Sequence, residues 1–101
     1  MATRLAPVHP GEILFEDYMK PLKLSANRLA LDLHVPANRI LAIVKGKRAI
    51  SAETALRLAH YFENTSAGFW VNLQAHYDLE VATDELDKTI AHEVRACARA
   101  S

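Results

Sequence analysis

Helix breakers and helix caps follow one another at short intervals through the first two-thirds of this chain: Pro10, Pro21, Ser25, Pro36, Gly46 and Ser51, then a polar break over 64–66. Proline opens or ends a helix because it has no N–H to give. Serine accepts from the free amides of a first turn. Glycine adopts the left-handed geometry that closes a last turn. No helix laid between such marks can be long, so the chain must fold by crossing short helices.

The apolar residues agree with that division. Pro10 opens a helix over 11–19 with Ile13, Leu14 and Tyr18 at helical spacing, and Pro21 ends it. After a connector over 22–24, Ser25 caps a second helix with Leu29, Ala30 and Leu33 inward. A tight turn over 32–35 leads to a third helix, with Pro36 in its first turn and Ile40, Ile43 and Val44 on its inner face. Gly46 closes it. Ser51 caps a fourth helix carrying Ala55, Leu58, Ala59 and Phe62. Thr65 or Ser66 caps a fifth, lined by Phe69, Trp70, Leu73 and Tyr77, for which core packing is the expectation. Residues 81–84 are ambiguous, and a sixth helix is expected over 86–99, with Ile90, Val94 and Cys97 recurring. Strand alternation is missing throughout. The predicted class is all-α, with a tail over 1–9, a folded domain over 10–81 and a helical extension over 82–101.

Composition narrows the function. With 101 residues, 50% hydrophobic and 24% charged, the chain can bury one core without staples. A lone cysteine, Cys97, excludes an internal disulfide framework and a four-thiolate zinc site. His92-Glu93 begins an H-E-x-x-H pattern, but Ala96 stands where the second histidine is needed, so no metal is expected. Three glycines leave no phosphate cradle, and no nucleophile elbow is present; neither a cofactor nor an enzymatic activity is expected. No apolar run is long enough for a membrane span. Residues 1–10 hold no apolar stretch after Arg4, so no secretory leader is expected and the expected address is a reducing cytoplasm.

Net charge is zero, but the charges are not evenly spread. Residues 20–48 hold seven cations (Lys20, Lys23, Arg28, Arg39, Lys45, Lys47 and Arg48) against one acid, Asp32, a net +6. The flanking segments carry −2 and −4. A basic middle between acidic ends suits a polyanion, though a solvated basic face would look the same.

That basic block coincides with the second and third helices, whose short link matches a helix-turn-helix. Ala30 is small enough for a close crossing, and Leu29, Val35 and Ile40 can anchor the second member of the pair. At its exposed start stand Ala37, Asn38 and Arg39, the candidate base readers: asparagine can pair with adenine, arginine with guanine, and alanine can only touch a thymine methyl. Ser25, Asn27, Arg28, Lys45, Lys47 and Arg48 are candidate phosphate contacts. On spacing alone, an ordinary α-hairpin remains open.

The runs His9-Pro10-Gly11-Glu12-Ile13-Leu14, Lys20-Pro21-Leu22-Lys23-Leu24-Ser25, Gly46-Lys47-Arg48, Thr54-Ala55-Leu56-Arg57-Leu58, Phe69-Trp70-Val71-Asn72-Leu73-Gln74 and Tyr77-Asp78-Leu79 resemble, in order and spacing, the HigA-type antitoxins. These form the VapI-like branch of the lambda-repressor-like (XRE) helix-turn-helix family. The resemblance covers residues 8–81. It implies a five-helix DNA-binding domain that forms a homodimer, binds a palindromic operator in double-stranded DNA and represses its own operon. It also implies a protein partner, a RelE- or HigB-like toxin that cleaves messenger RNA on the ribosome, blocked by direct contact. The recognition helix would be 36–44, with Asn38 and Arg39 as base readers and Arg28, Lys45, Lys47 and Arg48 on the backbone. Two residues depart from the pattern. His34 stands where glycine is common, and Ala37 replaces a longer polar residue. Two other readings stay open: a stand-alone regulator without a toxin, and a protein-interaction module that has lost operator binding. The acidic residues Glu12, Glu16 and Asp17 fit either a toxin-facing patch or a solvated helix face.

Overall fold

The computed structural model describes residues 6–98. Its elements are helical, and the first is wound in two ways. Helix α1 (Pro10–Ile13) passes directly into a π-helical segment (Leu14–Met19). Then come α2 (Ala26–Leu33), α3 (Ala37–Val44), α4 (Ala52–Tyr61) and α5 (Ala67–Glu93). The all-α class and the expected order of the first five helices hold, with no strand among the described residues.

The π winding has a packing consequence. Leu14 and Met19 are five residues apart, which on an α-helix would splay them by about 140°. The wider turn, in which the Lys20 N–H donates to the Phe15 carbonyl at 2.8 Å, brings them to one side. Both are buried, with Tyr18 packed beside them. Simple helical spacing does not anticipate Met19 in the core. Glu12, Glu16 and Asp17 face solvent, and Glu16 pairs with Lys20 one turn on at 3.4 Å.

Trp70 lies at the centre of the core with no exposed surface. Its ring meets Tyr18 at 5.0 Å and Phe69 at 4.9 Å, both edge-on. Its indole N–H donates to Thr65 Oγ1 at 2.9 Å. The Thr65 hydroxyl in turn donates to the Phe62 carbonyl at 2.7 Å. Thr65 thereby serves the tryptophan, and Ser66 caps α5 by accepting from the Phe69 N–H at 3.0 Å. Trp70 is thus a core residue and Phe69 packs, partly buried, against the core, as expected. Gln74, also buried, accepts from the Ile50 N–H at 2.8 Å and so ties α5 to the loop before α4.

Expectation fails in the C-terminal third. Residues 81–84 read as ambiguous and a separate helix over 86–99 is predicted, yet α5 runs unbroken for 27 residues and ends at Glu93. Neither glycine nor proline interrupts it after Gly68. The polar Thr83 hydroxyl bonds back to the Leu79 carbonyl at 2.7 Å, so it satisfies itself inside the helix. Val94 and Cys97 lie beyond the helix end and are exposed, and Arg99 falls outside the described residues. At 1.5 Å per residue α5 is about 40 Å long. Its first half packs on α4 and α1, and every described residue from Ala82 onward is exposed.

The segment before α1 is not a free tail at its end. His9 caps α1, its Nδ1 accepting from the Gly11 N–H at 2.9 Å, and its ring meets Tyr77 of α5 edge-on at 4.8 Å. An accepting Nδ1 must be unprotonated. Burial holds the His9 pKa below its usual value, with Asp78 pulling the other way. The folded state thus binds this proton less well than the unfolded chain. The cap's contribution is complete above the unfolded pKa of about 6.5 and is lost as pH falls through the lower folded value. Urea melts at pH 7.5 and pH 5 should show the acid sample less stable, and His9→Asn, which can still cap, should shrink the difference. An undiminished difference would assign the effect to another group.

Candidate nucleic-acid interface

Helices α2 and α3 cross where Ala30 is buried and has no bulk to hold them apart. Ser25 caps α2 by accepting from the Arg28 N–H at 3.0 Å. The turn is closed by His34 in the left-handed conformation (φ 61°, ψ 45°), with the Val35 N–H reaching back to the Ala30 carbonyl at 3.0 Å. Glycine takes that conformation freely; a side chain costs about 1–2 kcal/mol there. The departure at His34 therefore carries strain, repaid by Val35 packing against the core. Pro36 sits one residue earlier than expected: it is the N-cap, extended at ψ 144°, and Ala37 is the first helical residue.

Ile40 and Ile43 of α3 are fully buried. The opposite side is thereby turned outward. Asn38 and Lys45 are exposed on it, and Ala37 is half-buried against the core. Leu41 is 41% exposed, although it is a large aliphatic residue on a helix whose two isoleucines have no exposure at all. Sequence reasoning passed over Leu41. The helical period counted from Ile40 and Ile43 was the signal that could have found it.

Arg39 lies on the flank toward α4. Its side chain is 20% exposed, and Nη1 stands 3.6 Å from Glu53 Oε1. Its Nε is buried without a hydrogen-bond partner among the described residues. Glu53 is itself gripped by Arg57, which donates through Nε at 3.1 Å and Nη2 at 3.0 Å. The Arg57 hydrogen bonds, then its charge and that of Arg39, hold the Glu53 carboxyl below the usual carboxylate range. The third Arg57 group, Nη1, donates to the Leu33 carbonyl at the end of α2, at 2.9 Å. One chain of contacts thus runs from α2 through α4 to the start of α3. Neither Glu53 nor Arg57 stands out in the sequence as part of this site, because their partners lie on other helices.

The expected phosphate contacts are all on the surface. Ser25, Asn27 and Arg28 stand at the start of α2, and Lys45, Lys47 and Arg48 follow the end of α3. Arg28 shares its charge with Asp32 at 3.3 Å. Asp32 is also fixed by the Tyr61 hydroxyl at 2.7 Å, and this bond raises the Tyr61 pKa. Lys45, Lys47 and Arg48 have no ion pair among the described residues. Gly46, at φ 74°, closes α3 as expected, with the Lys47 N–H bonded to the Ala42 carbonyl at 2.8 Å. The same end of α3 is steadied by α1: a Cβ on Gly11 would overlap the Ile43 carbonyl oxygen.

The surface so built offers an amide suited to adenine edges, aliphatic groups beside it, and exposed cations at its margin. Residues 15–70 match the family described as Helix-turn-helix. Virulence-associated protein I of Dichelobacter nodosus is 51% identical over 78 residues, which are 77% of this chain and 71% of that protein. A HigA-family addiction module antidote protein from Coxiella burnetii has a TM-score of 0.85 at 47% identity, covering 92% of this chain and 100% of its own. The Pseudomonas aeruginosa antitoxin HigA, solved with the higBA promoter, has a TM-score of 0.85 at 44% identity, covering 88% and 96%. Fold and likeness together place the chain in the helix-turn-helix family, on the branch that holds the HigA-type antitoxins.

Proposed function

We propose that this protein is a cytoplasmic, homodimeric HigA-type antitoxin that binds a palindromic operator, represses its own operon and blocks a RelE-like toxin by direct contact. The observation that carries the DNA half of this reading is the outward face of α3, with Asn38 exposed on it and Lys45, Lys47 and Arg48 exposed at its margin. In this reading residues 10–81 bind DNA, preceded by the short segment 1–9, and 82–101 form an extension. Ala37, Asn38 and Arg39 face base edges. Ser25, Asn27, Arg28, Lys45, Lys47 and Arg48 hold phosphates. Arg39 reaches a base only by leaving Glu53, an exchange that a guanine edge can repay with two hydrogen bonds. Two-fold pairing would set the recognition helices about 34 Å apart, one turn of DNA. The toxin half rests on kinship with antitoxins.

Fluorescence anisotropy with the DNA upstream of the chain's own coding sequence, against a scrambled duplex, tests the first half. Binding should be tighter to the upstream DNA, and the affinity should fall with salt at a slope of about −0.9 per phosphate neutralised. Lys47→Ala should weaken both duplexes alike, whereas Arg39→Ala should cost about 1–3 kcal/mol on the upstream duplex alone. Equal binding of the two duplexes by the unmodified protein would reject the repressor reading. Identical behaviour of the two variants would reject the division of roles. Co-purification with the product of the adjacent gene tests the toxin half; its failure would favour a stand-alone regulator.

A further inference from the structure

We propose that Leu41 is a specificity-determining residue that reads the C5-methyl group of thymine in the major groove. The inference rests on the DNA-binding reading above and extends it to a residue outside the expected base-reading set.

The outward side of α3 is unusually poor in hydrogen-bonding groups. Ala37, Leu41 and Lys45 are four residues apart and form one row along the helix, with Asn38 and Ala42 in the row beside it. Arg39, the strongest hydrogen-bonding side chain of the helix, is drawn to the flank by Glu53 and is only 20% exposed. What remains facing outward is one amide, one ammonium and a set of aliphatic groups, of which Leu41 is the largest and stands 41% exposed. Its exposure is not a local packing failure. The adjacent Ile40 is completely buried, so the helix is fully seated and Leu41 lies on the side away from the core.

An aliphatic side chain among basic groups has one apolar feature to meet on duplex DNA, the thymine methyl, which the major groove alone displays. The register also suits Asn38. Residues three apart on a helix have Cβ atoms about 5–6 Å apart, or one to two base-pair steps of about 3.4 Å. An adenine held by Asn38 and a thymine methyl under Leu41 therefore fall on adjacent or next-adjacent pairs, which makes an A·T-rich core the favoured half-site.

Deoxyuridine differs from thymidine by that methyl alone. In the duplex that the full-length protein protects upstream of its own coding sequence, each thymine is replaced in turn by deoxyuridine and the Kd measured at fixed salt. One or two positions per half-site should lose about three- to five-fold, as expected for one buried methyl. Leu41→Ala, and Leu41→Gln as a volume-keeping second variant, should bind the thymine duplex more weakly and no longer distinguish thymine from uracil there. Circular dichroism checks that both variants stay folded, as a half-exposed position should allow. Indifference of the unmodified protein to every replacement, while it still prefers this duplex to a scrambled one, would overturn the role of Leu41 and leave DNA recognition intact. Full discrimination retained by both variants would assign the methyl to another residue and likewise overturn it. No preference over the scrambled duplex would remove the DNA-binding reading and this inference with it.

Discussion

Trp70→Ala should destabilise the protein by about 3–5 kcal/mol, the usual cost of emptying a large aromatic site in a core. A domain of this size has roughly 5–15 kcal/mol in total, so the variant should be largely unfolded at temperatures where the parent is intact. The ring has no exposed surface and touches side chains from three parts of the chain: Tyr18 of the π segment, Phe62 after α4, and Phe69 of α5. Its loss also frees the Thr65 hydroxyl from the indole N–H. Urea denaturation followed by circular dichroism measures the effect. Leu86→Ala is the control: the residue is 48% exposed on the outer half of α5 and should change stability by no more than about 0.5 kcal/mol. Equal losses in the two variants would mean that the outer half of α5 is part of the cooperative core.

Gly11→Ala is the second test, and two effects of opposite sign compete in it. Alanine is the better helix former, by about 1 kcal/mol. Against this, the added methyl carbon would overlap the Ile43 carbonyl oxygen and lie 2.6 Å from the carbonyl carbon. The obstacle is backbone, which cannot rotate away as a side chain can. Either α1 or the end of α3 must move, and overpacking of this kind costs about 1–3 kcal/mol, occasionally more. The overlap should win, so the variant should melt at lower urea. The carbonyl belongs to α3, the helix proposed to enter the groove, so affinity for the upstream duplex should fall in the same variant. A gain in stability would show that the two helices are not held in the contact described.

These two residues illustrate what a linear reading can and cannot see. Trp70 reads as a core residue because it shares a helical stripe with Phe69, Leu73 and Tyr77, a pattern within one helix. Gly11 bears no such mark. Its importance comes from a helix more than thirty positions away. The same contrast runs through the candidate interface. Ser25, Ser51 and Gly46 were legible as caps because their partners are three to four residues distant. The Glu53 clasp on Arg39 was not, since it joins α4 to α3.

Local chemistry was sufficient for the class of fold, the order of its helices and the position of the turn between α2 and α3. Caps, prolines and apolar periods all act within a turn or two, and a reader of the sequence has both partners in view. Three features needed the packed molecule. The π winding after Ile13 serves the joint burial of Leu14 and Met19. The first half of α5 is held against α4 and α1, and the helix continues past that support because no proline or glycine interrupts it after Gly68. The outward face of α3, with Leu41 presented and Arg39 drawn aside, depends on contacts between helices distant in sequence, and such contacts exist only once the core has closed.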